Sequence, residues 1–336
     1  MIQKPGSTRR DLLQQTAFAA GAAALAVSQL EAQAPAQAAA GAAAGANKEP
    51  SWPRLYPAGF KNERVKTTGA EINVVSGGEG PPLLMMHGAP QSLVTWHLIA
   101  PELAKNYRLI MMDLRGYGDS SKPADEPNHA SQSKRKMALD GVEVMKHFGY
   151  DRYAVVGHDR GGRVGRRMAL DHADKVTKLT VIDIVPAHYL YGHVDIRFVQ
   201  AYFHWFNYLR AAPAPENELK TQYEAQAARA TQELAKEYMR VMLIPGSIHG
   251  MCEDYRASAS IDLDQDNADA KAGKKIQCPV NVLWGLRGAM GPLYDVLAIW
   301  KGEGVNVIGK GLPGGHSLQE DTPKETTEEI LKFMKG

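Results

Sequence analysis

Cysteine is nearly absent: Cys252 and Cys278 are the only two in 336 residues. That excludes a disulfide framework, and the pair has neither zinc-ligand nor C-x-x-C spacing. They read as two inert thiols or one optional bridge. Charge of one sign is missing too, since 39 Lys and Arg face 37 Asp and Glu. Such balance argues against nucleic acid or an anionic membrane as the main partner. No apolar run is long enough to span a bilayer. Internal repeats are absent. Gly157, Gly161 and Gly162 lack the G-x-G-x-x-G spacing of a dinucleotide site. Asp262-x-Asp264-x-Asp266 begins like a calcium loop but has Asn267 where Gly is needed and Gly273 where Glu is needed. It reads as a solvated acidic turn, and nothing else in the chain implies a metal or cofactor. Lys134-Arg135-Lys136 reads as a solvated helix start.

What remains is a chain with 44% hydrophobic and 23% charged residues, enough to bury a core. The first 46 residues stand apart. Arg9-Arg10 precede an Ala/Gly-rich run from Ala17 to Leu30, followed by Ala32-Gln33-Ala34 and Ala36-Gln37-Ala38, which look like A-x-A cleavage sites. This resembles a twin-arginine export signal, so residues 1–46 are expected to be a signal peptide and linker and the mature protein periplasmic. The run is too short and too rich in small residues for a membrane anchor.

Downstream, apolar runs bounded by Gly, Pro and Asp alternate with helical patterns. Strands are expected at 71–76, 83–86, 108–112, 153–156, 179–182, 280–284 and 305–308. Helices are expected at 137–148, 164–172, 293–300 and 323–334. This alternation implies an α/β fold, a mostly parallel sheet with helices on both faces. The aromatic-rich interval 187–262 breaks the rhythm and reads as a helical cap inserted after the strand that ends at Asp183. The core is then expected in two parts, 47–186 and 263–336.

Val155-Val156-Gly157-His158-Asp159-Arg160-Gly161-Gly162 carries most of the information. A buried strand runs into a sharp turn and then a helix, with glycines flanking a polar residue, as in a G-x-nucleophile-x-G elbow. Here the central residue is Asp159, whose alternative role is to cap the helix. Asp183 after the next strand and His316 in Gly314-Gly315-His316 complete the order nucleophile, acid, histidine of an α/β hydrolase. Of eleven histidines, His316 alone follows the last strand in a Gly-rich turn. No carboxylate follows the strand at 280–284, where the chain reads Trp284-Gly285-Leu286-Arg287-Gly288, and Asp295 lies farther along at helical spacing. A carboxylate nucleophile attacks a saturated carbon and forms an alkyl ester, which a neutral imidazole can help water to hydrolyse. The backbone N–H groups of Ala89 and Arg160 are the expected oxyanion donors. Halides and epoxides are the substrates such chemistry selects.

Gly157-His158-Asp159-Arg160-Gly161-Gly162-Arg163, Asp183-Ile184-Val185-Pro186, His204-Trp205 and Cys252-Glu253-Asp254-Tyr255-Arg256 together resemble the fluoroacetate (haloacetate) dehalogenases, α/β hydrolases, over roughly residues 55–335. The resemblance implies Asp159 as nucleophile, His316 as base and Asp183 as its orienting acid. It further implies Arg160 and Arg163 as the substrate-carboxylate site and His204, Trp205 and Tyr255 as halide ligands. The family usually carries Phe where this chain has Ala89, and the cap is shorter than usual. Guanidinium suits a small carboxylate because its fork binds two oxygens at once. Arg166 and Arg167 continue the cluster and read as a solvated helix face. From the residues alone, His204 and Trp205 read as packed cap aromatics. The expected function is a cofactor-free hydrolytic dehalogenase acting on a small-molecule haloacid, with a homodimer left open. An epoxide hydrolase with the same Asp–His–Asp machinery is the first alternative, and a non-catalytic binding protein on the same fold the second.

Overall fold

The computed structural model describes residues 49–50 and 52–336. The export signal expected around Arg9-Arg10 lies outside them. Eight strands form one sheet in the order β1-β2-β4-β3-β5-β6-β7-β8. They are β1 (Lys61–Thr67), β2 (Ala70–Gly77), β3 (Pro82–Met86), β4 (Arg108–Met112), β5 (Tyr153–His158), β6 (Val176–Ile182), β7 (Val280–Gly285) and β8 (Val307–Leu312). β1 and β2, and β2 and β4, pair antiparallel, and every other neighbouring pair is parallel. Helices α1 (Trp52–Leu55), α2 (Ala100–Leu103), α3 (Lys134–His147) and α4 (Arg160–Asp171) precede β6. Between β6 and β7 the chain runs through α5 (Ala187–Gly192), α6 (Ile196–Tyr208), α7 (Ala214–Ala227), α8 (Glu233–Met242), α9 (Ser247–Ser258) and α10 (Ile261–Lys271). The closing elements are α11 (Met290–Leu293), α12 (Val296–Lys301), α13 (Leu318–Asp321) and α14 (Pro323–Lys335).

The sheet centre is dry because its strands are apolar on both faces. Leu83 to Met86, Leu109 to Met112, and Val155 and Val156 are fully buried, as strands covered by helices on both sides must be. Ser133 starts α3 by accepting a hydrogen bond from the Lys136 N–H, and Lys146 and His147 close its last turn.

Three stretches differ from the sequence reading for stated reasons. β1 escapes a search for apolar runs because Val65 is its one buried residue. β8 begins at Val307, not Val305: it is an edge strand, Val305 and Ile308 are exposed, and two glycines continue it to Leu312. The helix expected over 293–300 is broken, because Asp295 caps a new helix by accepting from the Ala298 N–H at 3.1 Å.

Arg166 and Arg167 are buried rather than solvated, as are Asp262, Asp266 and Lys134. Each has found a partner in the fold. Arg166 binds Asp266 and Glu303, and Arg167 binds Asp266, Asp269 and Asp171. Asp262 accepts from the Lys134 N–H at 2.8 Å, while the Lys134 ammonium pairs with Asp254. The acidic stretch is therefore the first turns of α10 locked against α4 and α3, since buried charges persist where they are paired. Cys252 and Cys278 are both free thiols. Among the described residues no helix is long and apolar enough to cross a membrane.

Candidate active site

Asp159 links the end of β5 to the start of α4 with φ 46° and ψ −113°. That backbone is costly for a residue with a Cβ and lifts its side chain out of the sheet. Close approach of the neighbouring segments is what demands the flanking glycines. A Cβ on Gly161 would lie 2.1 Å from the Met86 carbonyl oxygen, and one on Gly88 would lie 2.6 Å from the Asp159 Cβ. The loop after β3 thereby brings the Ala89 N–H to Oδ1 of Asp159 at 3.0 Å. The Arg160 N–H, the other expected oxyanion donor, opens α4 immediately after Asp159.

His316 Nδ1–H donates to Asp183 Oδ2 at 2.6 Å. Asp183 itself has φ 51° and is fixed from its other oxygen by the Gly285 N–H at 2.8 Å. The last residue of β7, whose following loop lacks a carboxylate, thus supplies a backbone donor to the carboxylate after β6. His316 Nε2 stands 3.9 Å from Asp159 Oδ2. Burial would raise the Asp159 pKa, but His316 and the Arg160 and Arg163 guanidiniums outweigh it and hold the carboxyl well below the usual range.

The arginines lie beside this group. Arg160 is fully buried, donates from Nη1 to Ser258 Oγ at 2.6 Å, and has Nε 3.7 Å from Asp254 Oδ2. Its guanidinium carbon sits 3.5 Å from the Tyr255 ring centroid and 5.0 Å from that of Trp205. The Arg163 guanidinium lies 5.0 Å from the Trp205 ring centroid. Nε and Nη2 of Arg160 and Nε and Nη1 of Arg163 have no hydrogen-bond partner among the described residues. Buried unpaired donors carry a cost, offset when an anion accepts from them.

A cavity joins Ala89, Asp159, His204, Trp205, Tyr255 and His316. The two arginines are stacked on its aromatic wall and are not themselves among its lining residues. Trp205 and Tyr255 meet edge to face at 5.5 Å, and His204 lies 6.1 Å from Tyr255. Burial, with the nearby Arg160 charge, lowers the His204 pKa to about 4, so its ring is neutral near pH 7. Tyr202, Tyr223, Gln226, Tyr238 and Met239 also line the cavity. The three tyrosines are among the cap phenols that the epoxide alternative would draw on, whereas the sequence assigned no role to Gln226 and Met239, because helical spacing shows which residues share a face but not which face meets the elbow. Asp254, quoted only as part of a motif, turns out to brace Arg160.

An ionised carboxylate on a strained turn, a histidine bonded to a buried acid and a backbone donor at the carboxylate make a candidate site for nucleophilic hydrolysis. The chain belongs to the alpha/beta hydrolase fold family, whose pattern it matches over residues 81–303. Among its relatives, the fluoroacetate dehalogenase of Burkholderia sp. is 40% identical over 82% of this chain and 94% of that protein. The soluble epoxide hydrolase of Corynebacterium sp. (strain C12) is 32% identical over 79% of this chain and 94% of its own length. A crystal structure from Nostoc sp PCC 7120, provisionally described as an alpha/beta hydrolase, superposes with a TM-score of 0.78 at 46% identity, covering 82% of this chain and 98% of that one.

Proposed function

We propose that this protein is a hydrolytic dehalogenase of short 2-haloacids, converting fluoroacetate or chloroacetate and water into glycolate and halide. The observation that carries the reading is an ionised Asp159 beside two buried guanidiniums, four of whose nitrogens make no hydrogen bond among the described residues. Arg160 and Arg163 hold the substrate carboxylate and aim its neighbouring carbon at Asp159. Oδ2, the oxygen free of Ala89, attacks that carbon. A carbon–oxygen bond forms, the carbon–halogen bond breaks, and the halide leaves with its electron pair toward the N–H and O–H donors of His204, Trp205 and Tyr255.

His316 then takes a proton from water, whose oxygen attacks Cγ of Asp159. Charge gathers on Oδ1, where the Ala89 N–H already donates, with the Arg160 N–H as second donor. Collapse breaks the bond to glycolate, which takes the proton from His316, and Asp159 ionises again. Similarity to a fluoroacetate dehalogenase supports this reading.

A second reading, epoxide hydrolysis, is favoured by the Tyr202 and Tyr255 phenols on the cavity wall and by the similarity to an epoxide hydrolase. A neutral epoxide would leave the guanidinium donors unpaired, and so ranks behind. Ion chromatography of halide released from fluoroacetate, chloroacetate and a neutral bromoalkane, beside a panel of epoxides, decides between them. Faster turnover of the bromoalkane or the epoxides than of the haloacetates overturns the proposal. Export to the periplasm through the Arg9-Arg10 leader is proposed alongside it, on the sequence alone.

A further inference from the structure

His158 precedes Asp159 and has so far been given no task. Its side chain is fully buried, and it packs on the base, with the two imidazole centroids 4.8 Å apart. Nε2–H donates to the backbone oxygen of His316 at 2.9 Å. The segment it holds has the backbone Gly314-Gly315-His316, which has much conformational freedom of its own. Besides the His158 contact, it is tied down by the Arg287 N–H at the Gly314 oxygen, by Asp321 at the Gly315 N–H and by Gln91 at the Ser317 hydroxyl.

Burial lowers the His158 pKa to about 3, so the ring is neutral. With Nε2 protonated, Nδ1 is an acceptor. The Gln319 amide donates to it from 3.3 Å. The Gln91 side chain lies alongside, with Oε1 2.9 Å from Nδ1 and Nε2 donating to Ser317 Oγ and Glu320 Oε1. A doubly protonated ring would add a positive charge against His316 and oppose its work.

We propose that His158 is a positioning residue for ester hydrolysis: through Nε2–H it fixes the main chain of His316 and thus the point from which the base reaches water. The proposal rests on the dehalogenase reading. It predicts a specific kinetic split, because the base serves the second step only. Slowing ester hydrolysis lowers kcat and KM together and leaves kcat/KM, which ends at irreversible halide release, nearly unchanged. General loss of packing around Asp159 would instead lower kcat/KM.

Three variants test it on chloroacetate. His158→Gln places an amide N–H where Nε2 was, whereas the shorter amide of His158→Asn reaches only the place of Nδ1. His158→Phe keeps the ring and removes both nitrogens. In the Asn and Phe variants kcat should fall about tenfold to a hundredfold with a parallel fall in KM. Intact mass spectrometry during turnover should show the Asp159 ester accumulating. The Gln variant should recover most of kcat. A proportionate loss of kcat/KM, equal recovery by Asn and Gln, or an unchanged kcat in Asn overturns the proposal. Should the Phe variant fail to fold, the Gln and Asn pair decides. His316→Asn serves as control: if it traps no ester, the dehalogenase reading falls, whereas a trapped ester there with no split in the His158 variants removes the role of His158 alone.

Discussion

His316 Nε2 and Asp159 Oδ2 lie 3.9 Å apart, beyond hydrogen-bond reach. A serine nucleophile would need that bond, because its proton must go to the histidine before attack. An ionised carboxylate needs no such help. The gap therefore fits a division of labour in which Asp159 acts first and His316 acts later on water.

This division has a pH signature. Burial disfavours a charged His316, but the hydrogen bond and charge of Asp183 and the charge of Asp159 prevail and raise its pKa to about 9. Ester formation cancels the Asp159 charge and eases release of the proton from His316. The halide burst should stay flat through neutral pH, while ester hydrolysis falls as acid keeps His316 protonated. The linkage to folding has the opposite slope. A folded pKa above the unfolded ~6.5 stabilises the fold fully below ~6.5, and that part is lost as pH rises through about 9. Thermal melts across this range should show the decline, and His316→Asn should lack it. Equal declines in both chains would assign it to another group.

Arg163 tests the anion site. Its Nε and Nη1 have no hydrogen-bond partner among the described residues, so Arg163→Met should not destabilise the free protein and should raise Tm. The same change should lower kcat/KM for haloacetates about tenfold to a hundredfold, the worth of a lost charge-assisted bond. Steady-state kinetics and a melting curve on one preparation check both. Retained haloacetate preference would remove Arg163 from the site.

Trp205 separates its two features. Its ring lies against both guanidiniums, and its indole N–H is a proposed halide donor. Trp205→Phe keeps a ring there and loses the donor. Fluoroacetate should suffer several-fold more than bromoacetate, since fluoride depends more on donors as it leaves, a difference equal to about half of one hydrogen bond to an anion. Equal losses would mean that the ring acts by packing alone.

Asp266 carries a stability prediction. It bridges Arg166 and Arg167 in a buried network. Both arginines keep other carboxylate partners, so Asp266→Ala should cost about 1–3 kcal/mol in urea unfolding. Unchanged stability would show the network to be indifferent to its central acid.

Much of this site was legible because its parts are local in sequence. The elbow advertises itself through Gly157, Asp159 and Gly161, and His316 through its Gly-rich turn. β1 was not, since an edge strand burying one side chain leaves no apolar run. Nor was the burial of Arg166, Arg167 and Asp266, because a charge run looks alike whether it faces water or a partner 99 or more residues away. His158 was visible inside its motif, yet its task depends on a carbonyl 158 residues downstream.

The central claim is that Asp159 becomes covalently attached to substrate carbon. Incubating His316→Asn with chloroacetate and digesting the protein for mass spectrometry tests it most directly. One carboxymethyl group per chain on the peptide holding Asp159, formed in step with chloride release, is the predicted result. Stoichiometric chloride with Asp159 unmodified would contradict the account.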